Sequence, residues 1–510
     1  MSSDLSSEIT LPTGEKYIQP TGLFINNEFV PSTSSKKIIT VNPATAQPIC
    51  ELHAASAQDV DRAVKVAHET FEKTWSKVTG SERGELLIKL SQLIERDAEI
   101  LAKIDALNAG KPYATNAMND IGQILELTKF YAGYADKLDG KYIPISENKF
   151  VYEINEPLGV VGLIVPWNYP LAMASWKLQG ALAAGNTVVI KSAENTPMSL
   201  LYFAQLIKEA GFPPGAVNIL SGFGPITGSA MVGHELIDKI SFTGSTGVGK
   251  LIQQQASVNL KNVTLECGGK SPAVIFKDAN LSEAVKWCSL GIFYNSGQNC
   301  TANSRILVQD EVYDEFIQKF QEYTKENWVL GDPFKDETTV GPVISKTHHE
   351  RILSYLNHGS NVEKLNKIEI APLGSTAQDY PQGYYITPTI FTDVPVTSKL
   401  FQEEIFGPVA CVTKFSDFEE AIKIANSSIY GLGSAVFTKN IKKAHRFARM
   451  LKAGTVWINS SNDEDIKASF GGYKMSGVGR EMGLEGIKTY TQIKAIHVNL
   501  DDEEEEKAKL

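Results

Sequence analysis

The chain of 510 residues is too long for one hydrophobic core and suits two or three domains. Its 43 % apolar and 21 % charged residues are those of a globular protein, which excludes disordered, collagen-like and disulfide-scaffold classes. A formal charge of −10 without any basic stripe excludes nucleic acid as a partner.

The opening MSSDLSSEIT has neither the basic region nor the apolar core of a signal peptide, and its acids do not suit a mitochondrial presequence. No run approaches the roughly 20 apolar residues that span a bilayer, so no membrane partner is expected. The five cysteines, Cys50, Cys267, Cys288, Cys300 and Cys411, lack metal-ligand spacing and suit a reducing compartment. A cytoplasmic protein without a metal centre is the expectation.

From residue 57 to about 138, apolar residues recur at three and four, as in Val60, Val64 and Ala67 and again in Leu86, Leu87, Leu90, Leu93 and Ile94, which predicts helices. Short apolar runs follow at 160–165, 187–190, 217–220 and 240–242, separated by helical stretches at 171–184, 200–210 and 248–256. That alternation predicts βαβ units and a parallel sheet. Beyond Ser271 it repeats, with strands at 273–276, 305–308, 390–391 and 409–413 and helices at 281–293, 311–325 and 418–426, so a second α/β domain is expected. Two alternating segments, 141–154 and 488–499, have no helix partner and are free to pair with each other or with another subunit. The acidic run 501–506 reads as a solvated tail. Ala508-Lys509-Leu510 is one substitution from the Ser-Lys-Leu address, which adds a peroxisomal alternative.

Three segments carry candidate chemistry. In Asn295-Ser-Gly-Gln-Asn-Cys-Thr-Ala-Asn-Ser-Arg305 a cysteine follows a Gly-Gln turn and precedes a strand. A thiol is the best soft nucleophile a protein has, although an intracellular cysteine is more often core filler. In Val263-Thr-Leu-Glu-Cys-Gly-Gly-Lys-Ser-Pro272, Glu266 closes an apolar strand beside backbone that lets a ligand approach. Desolvation there would raise its pKa and suit it to general base work; the bland alternative is a surface Glu at a turn. In Val165-Pro-Trp-Asn-Tyr-Pro170 a rigid loop fixes Asn168, whose amide can donate to an oxygen that turns negative, or can simply serve a packed turn. Gly244-Ser-Thr-Gly-Val-Gly249 follows a strand and opens a helix, presenting helix amides to a phosphate, although its spacing is weak evidence alone.

Taken in order, PWNYP, FTGSTGVG, LECGGKSP, GQNCTANSR, EEIFGPV and SFGGYKMSGVGRE resemble the aldehyde dehydrogenase superfamily over roughly residues 20–500. The opening GLFINNEFV and the Cys267 variant of LECGGKSP look most like its yeast cytosolic NAD-dependent members. The resemblance implies a Rossmann-like NAD-binding domain (1–137 and 156–268), a second α/β catalytic domain (269–484), a small β oligomerisation element (138–155 and 485–500) and an acidic tail (501–510). It implies oxidation of an aldehyde to its acid by a homodimer or homotetramer. Cys300 would attack the carbonyl, Asn168 and the Cys300 N–H would hold the oxyanion, Glu266 would activate water, and Lys177 and Glu481 would relay its proton.

For NAD it implies Trp167, Lys191, Glu194, Gly224, Gly228, Phe242, Gly244, Ser245, Glu404 and Phe406, with Gly222-Phe-Gly224 towards the adenine. Glu194 would accept the ribose hydroxyls and repel the 2′-phosphate of NADP. The substrate tunnel would be lined by Tyr169, Met173, Trp176, Asn462 and Phe470. Departures from the family pattern are Cys267, Ser469 and Val478, where leucine, proline and serine are usual. Cys267 is inert packing or a redox-sensitive thiol. Asn462-Asp-Glu-Asp465 is acidic where aromatics are common, which reads either as a solvated loop or as an anionic mouth drawing in a cationic aminoaldehyde such as 3-aminopropanal. The alternatives are a broad-specificity aliphatic aldehyde dehydrogenase, a non-catalytic relative, and transfer of the acyl group to coenzyme A. The intact Cys300, Glu266, Asn168 and Glu404 speak against the second, and Glu266 against the third.

Overall fold

The computed structural model describes residues 5–500; the acidic run and the Ala-Lys-Leu terminus lie outside the described residues. Two mostly parallel sheets dominate. The first has eight strands in the order Gly477–Val478, Asn262–Glu266, Lys239–Thr243, Val160–Ile164, Thr187–Lys191, Val217–Leu220, Leu23–Ile25 and Glu28–Val30. The five central strands are parallel, and the pairs at both edges are antiparallel. Strand order reverses between Val160–Ile164 and Lys239–Thr243, because the chain first winds outward through 187–191 and 217–220 and then returns to the other side. Ligands of doubly wound sheets bind in the crevice that such a reversal opens at the strands' carboxyl ends.

The second sheet has seven strands, ordered Asn366–Glu369, Thr389–Thr392, Val409–Phe415, Arg305–Gln309, Pro272–Ile275, Gly433–Phe437 and Thr455–Ile458. Only Asn366–Glu369 runs antiparallel. The helices Ala57–Lys73, Gly80–Arg96, Ala98–Ala109 and Met118–Tyr134 occupy the predicted helical region. The first two begin with capping boxes at Ser56 and Thr79, which satisfy otherwise unpaired terminal N–H groups.

The two unassigned segments do pair with each other. Thr491–Asn499 runs antiparallel to Lys149–Pro157, which pairs in turn with Lys141–Ser146, making a separate three-stranded sheet. Sequence reasoning missed the amino-terminal strands between Ser6 and His53, and it missed Gly433–Phe437 and Thr455–Ile458 within the second sheet. Gly477–Val478 departs from the expected division, since it lies in 269–484 yet hydrogen-bonds to the edge of the first sheet beside Glu266.

Candidate functional site

The carboxyl ends of the first sheet face the amino ends of the second, and a cavity of about 750 Å³ lies between them. Val160–Ile164 runs directly into Trp167 and Asn168, and Lys239–Thr243 into Gly244 and Ser245, so both sides of the strand reversal deliver residues to this cavity. From the other direction come Gly268, which precedes the strand Pro272–Ile275, and Cys300, which precedes Arg305–Gln309.

Cys300 sits on a tight loop. Asn295 and Ser296 adopt left-handed φ values of 52° and 57°, and Gly297 follows at 72°. A Cβ at Gly297 would stand 2.2 Å from the Gly407 carbonyl, so only glycine lets this loop pack on the loop carrying Phe406, itself at φ 63°. Asn168 is bound into the same assembly. Its Nδ2 donates to the Gln298 carbonyl at 2.9 Å, while Asn295 Nδ2 donates to the Asn168 carbonyl at 3.0 Å. The amide is thereby held beside the cysteine loop. The Cys300 thiol is pushed well above its usual range by burial first and by the Glu266 carboxylate second, so it rests protonated.

Glu266 ends its strand fully buried, and neither carboxyl oxygen has a hydrogen-bond partner among the described residues. Burial, with Glu481 adding, raises its pKa to about 8, while Lys177 pulls the other way. Behind it, outside the cavity wall, Lys177 Nζ donates to Thr243 Oγ1 at 2.6 Å and to Glu481. Next to Glu266, Cys267 lines the cavity but packs against Gly249, and burial pushes its thiol up to about 12, which favours inert packing over a reactive thiol.

Glu404 accepts a hydrogen bond from Gly269 N–H at 2.8 Å, and burial raises its pKa to about 7. A Cβ at Gly268 would lie 2.2 Å from Glu404 Oε2, so the Gly-Gly pair is what admits this carboxylate. Trp167 meets Phe406 edge-on at 5.3 Å. Trp176 meets Phe470 edge-on at 5.2 Å and donates to Gln123 Oε1 at 2.9 Å. Tyr169, Met173 and Asn462 complete the expected tunnel wall.

Five expected contacts lie elsewhere. Lys191, Glu194, Gly224, Gly228 and Phe242 do not line this cavity. Lys191 pairs with Glu194 at 3.6 Å, with Gly228 alongside, at the carboxyl ends of the neighbouring strands. Phe242 lies beneath Gly244, where a Cβ would come within 2.5 Å of its ring. The acidic loop is also narrower in effect than its sequence suggests. Glu464 lines the cavity, whereas Asp463 and Asp465 are exposed and do not. Sequence reasoning missed His348, Arg351, Asn119, Asp120, Gln123, Leu290, Tyr294 and Asn299, all in the wall. Most of these sit on helices or helix ends whose periodicity signals only packing. The two-histidine pair His348-His349 was the one visible cue: His348 packs edge-on to Trp167 at 5.2 Å and bonds the Phe406 carbonyl at 2.7 Å.

Among the described residues, no helix is long and apolar enough to cross a membrane. The aldehyde dehydrogenase family model matches residues 29–496. "Aldehyde dehydrogenase [NAD(P)+] 1" of Saccharomyces cerevisiae is 58 % identical over 489 residues, covering 94 % of this chain and 96 % of the yeast protein. Among solved structures, an NAD+ complex of aldehyde dehydrogenase from Bacillus cereus is 46 % identical with a TM-score of 0.90, covering 94 % of this chain and 97 % of that one. Betaine aldehyde dehydrogenase from Staphylococcus aureus, in complex with NAD+, is 37 % identical with a TM-score of 0.91, over 95 % and 96 % of the two chains. Matched over most of its length in sequence and in fold, with a thiol and a shielded carboxyl facing one cavity, this chain belongs to the aldehyde dehydrogenase family of oxidoreductases.

Proposed function

We propose that the protein oxidises an aldehyde to its carboxylic acid with NAD, through a thioester on Cys300 that Glu266-activated water hydrolyses. The observation that carries this reading is the meeting of the Cys300 thiol and the desolvated Glu266 carboxyl in one aromatic-walled cavity. The Cys300 thiol gives its proton to water in the cavity as Sγ bonds to the carbonyl carbon, and the Asn168 amide and the Cys300 N–H donate to the oxygen as it becomes negative. NAD, when bound, supplies the acceptor for the hydride whose loss turns the hemithioacetal into a thioester. Glu266 then takes a proton from water as the water oxygen bonds to the acyl carbon and the C–S bond breaks.

The residues present fit NAD. Ser245 caps the ten-residue helix Thr246–Gln255 by accepting from the Val248 N–H, and the N-terminus of such a helix suits a phosphate. The Gly268 cradle leaves Glu404 reaching into the cavity beside Trp167 and Phe406, a combination suited to a ribose hydroxyl and a flat ring. Lys191 and Glu194 would take the adenosine ribose with Gly224 and Gly228 alongside, and the Glu194 charge disfavours the 2′-phosphate of NADP.

The substrate we propose is an aminoaldehyde such as 3-aminopropanal, its ammonium drawn to Glu464 at the cavity wall. Broad aliphatic specificity is the competing reading, favoured by the aromatic tunnel pair Trp176 and Phe470. We further propose the division into NAD-binding, catalytic and oligomerisation units, with a second copy covering the outer strand Lys141–Ser146. Every residue of that strand is exposed, including Tyr142 and Ile145. Light scattering tests the dimer or tetramer. Rapid-quench mass spectrometry of Glu266→Gln tests the chemistry: an acyl adduct on Cys300 should accumulate after a normal burst of NADH. Failure before NADH forms would overturn the role of Glu266.

A further inference from the structure

Strands of a parallel sheet covered on both faces are normally near-continuous apolar runs. Two neighbouring strands of the first sheet depart from that rule. Lys239–Thr243 and Asn262–Glu266 run parallel in the register Lys239↔Asn262, Ser241↔Thr264, Thr243↔Glu266. Alternate residues of a strand share a face, so these three polar pairs stand in file on one side of the sheet over about 13 Å. Lys239, Ser241, Thr243, Thr264 and Glu266 are buried, and only Asn262, at the end away from the cavity, is exposed.

Two hydrogen-bonded groups lie along the file, while Glu266 at its cavity end has no hydrogen-bond partner among the described residues. Lys177 Nζ joins Thr243 Oγ1 to Glu481, and Ser241 Oγ donates to Glu481 Oε1 at 3.2 Å. At the far end Lys239 Nζ donates to Thr264 Oγ1 at 2.8 Å and to Asn262 Oδ1 at 2.7 Å, with the Tyr490 ring 5.3 Å away. Ser241 of the first group and Thr264 of the second stand opposite each other in the register, and the second Glu481 oxygen has no partner among the described residues. A water bridging these polar groups would join the two ends of the file.

We propose that this file is the proton exit of deacylation, in which Lys239 receives the proton from the Glu481 and Ser241 end and passes it to solvent at Asn262. The inference rests on the reading of Glu266 as the hydrolytic base. It adds Lys239, Ser241 and Thr264 as proton-conducting and positioning residues beyond Lys177 and Glu481. The balance requires that a proton leave. Acylation converts thiol, aldehyde and NAD+ into thioester, NADH and one proton. Hydrolysis converts thioester and water into thiol, carboxylate and a second proton. In that second step one hydrogen of the water returns to Sγ, and the other leaves through Glu266, which is buried at the cavity wall.

Lys239 is suited to the last transfer. Burial lowers its ammonium to about 7, opposed by Glu481, so it gains and loses a proton in the range where an enzyme works. Glu481 and the Lys177 beyond it are the charged groups on that side. Tyr490 and Tyr131, whose phenols burial holds protonated, and the neutral Asn262 and Thr264 complete its surroundings.

The test uses the full chain with NAD and two variants. Lys239→Met removes the exchangeable proton at similar length, and Thr264→Val removes the acceptor while leaving the lysine charge. Stopped-flow records NADH and, with a pH indicator, proton release in the same turnover. Expected are a wild-type NADH burst, kcat lower by about tenfold, a larger solvent deuterium isotope effect on kcat, acylated Cys300 in the steady state, and proton release lagging NADH. Thr264→Val should show the same pattern more weakly. Wild-type kcat and isotope effect in both variants would overturn the exit, as would equal loss of burst and kcat, which marks a packing defect. If Lys239→Met does not fold, Thr264→Val decides. Glu266→Gln separates the two readings: an acyl-enzyme that persists there while both exit variants deacylate normally overturns the exit alone, whereas normal turnover of Glu266→Gln overturns the base beneath it.

Discussion

In the second sheet, the central strands place Val274, Ile275, Ile306, Leu307, Val308, Ala435 and Val436 on both faces, all fully buried. In the first, the strands beside the cavity bury lysine, serine, threonine and glutamate instead. The second sheet does hold one buried cation, Arg305, but its guanidinium donates to three backbone carbonyls, those of Lys270, Ile424 and Ala425. That satisfies the charge with fixed partners and leaves it nothing to exchange. Polar groups of these two strands of the first sheet bond to neighbouring side chains, and Glu266 has no hydrogen-bond partner among the described residues. The cavity between the sheets is thus met by Cys300 from the loop before a packed strand of the second sheet and by Glu266 from the end of a polar strand of the first.

The sharpest way to break that division is Cys300→Ala. In the proposed mechanism the side chain acts only in bond formation to substrate, so aldehyde oxidation should fall by more than about a thousandfold. Calorimetry should find NAD binding retained. Substantial residual turnover would remove the thiol from the chemistry.

The second test uses pH. Glu266 must lose its proton to act, and burial raises its pKa to about 8. The deacylation rate in single turnovers should therefore rise with pH through about 8 and fall about tenfold per unit below it. A profile flat between pH 6 and 8 would mean that Glu266 is already ionised or does not act.

On the packing side, Leu307→Ala should cost about 3 kcal/mol in denaturant unfolding, through a cavity in a fully buried strand. Activity per folded molecule should persist, because Leu307 does not line the cavity. If activity fell in step with stability, the second sheet would be shaping the site more directly than its packing implies.

Cofactor choice gives a smaller effect. Glu194→Gln removes a charge whose side chain is 43 % exposed, and it should narrow the gap between NAD and NADP in kcat/KM by about tenfold or less. Equal use of both cofactors by the wild-type protein would defeat the ribose reading; the yeast relative's own name covers both.

The residues proposed to carry the chemistry were legible because each stands in a short motif at a strand end: Glu266 before Gly-Gly, Cys300 after Gly-Gln, and Asn168 between prolines. The βαβ rhythm exposed both sheets in the same way. Gly433–Phe437 and Thr455–Ile458 escaped because each is a run of four or five residues with no local mark separating a buried strand from a buried turn of helix. Asp120 and Tyr294 escaped for a different reason: they join the wall only once helices far apart in the chain meet, and a helical period reports the packed face without saying what it packs on. The polar file was present in KISFT and NVTLE as alternating residues, but its meaning depends on the register Ser241↔Thr264, which is a property of the pairing.

The same limit governs the acidic loop and the smallest prediction. Its sequence offers three acids to a cationic substrate, yet only Glu464 reaches the cavity. Burial raises that carboxyl to about 7, so its charge appears as pH rises through neutrality. Nearby, Asp120 is already paired with Lys111, which lies over the Tyr169 ring, so it offers less to a ligand. The ratio of kcat/KM for 3-aminopropanal over butanal should therefore be larger at pH 8 than at pH 6, and added salt should reduce it. Glu464→Gln should flatten both dependences and lower the ratio severalfold, within about 1.4 kcal/mol, while Asp463→Asn and Asp465→Asn leave it unchanged. Butanal oxidation should hardly respond. If Glu464→Gln depresses both substrates equally, the loop shapes the tunnel; if wild type prefers butanal at every pH and salt, the cavity selects on apolar contact with Trp176 and Phe470, and broad aliphatic specificity is the better description.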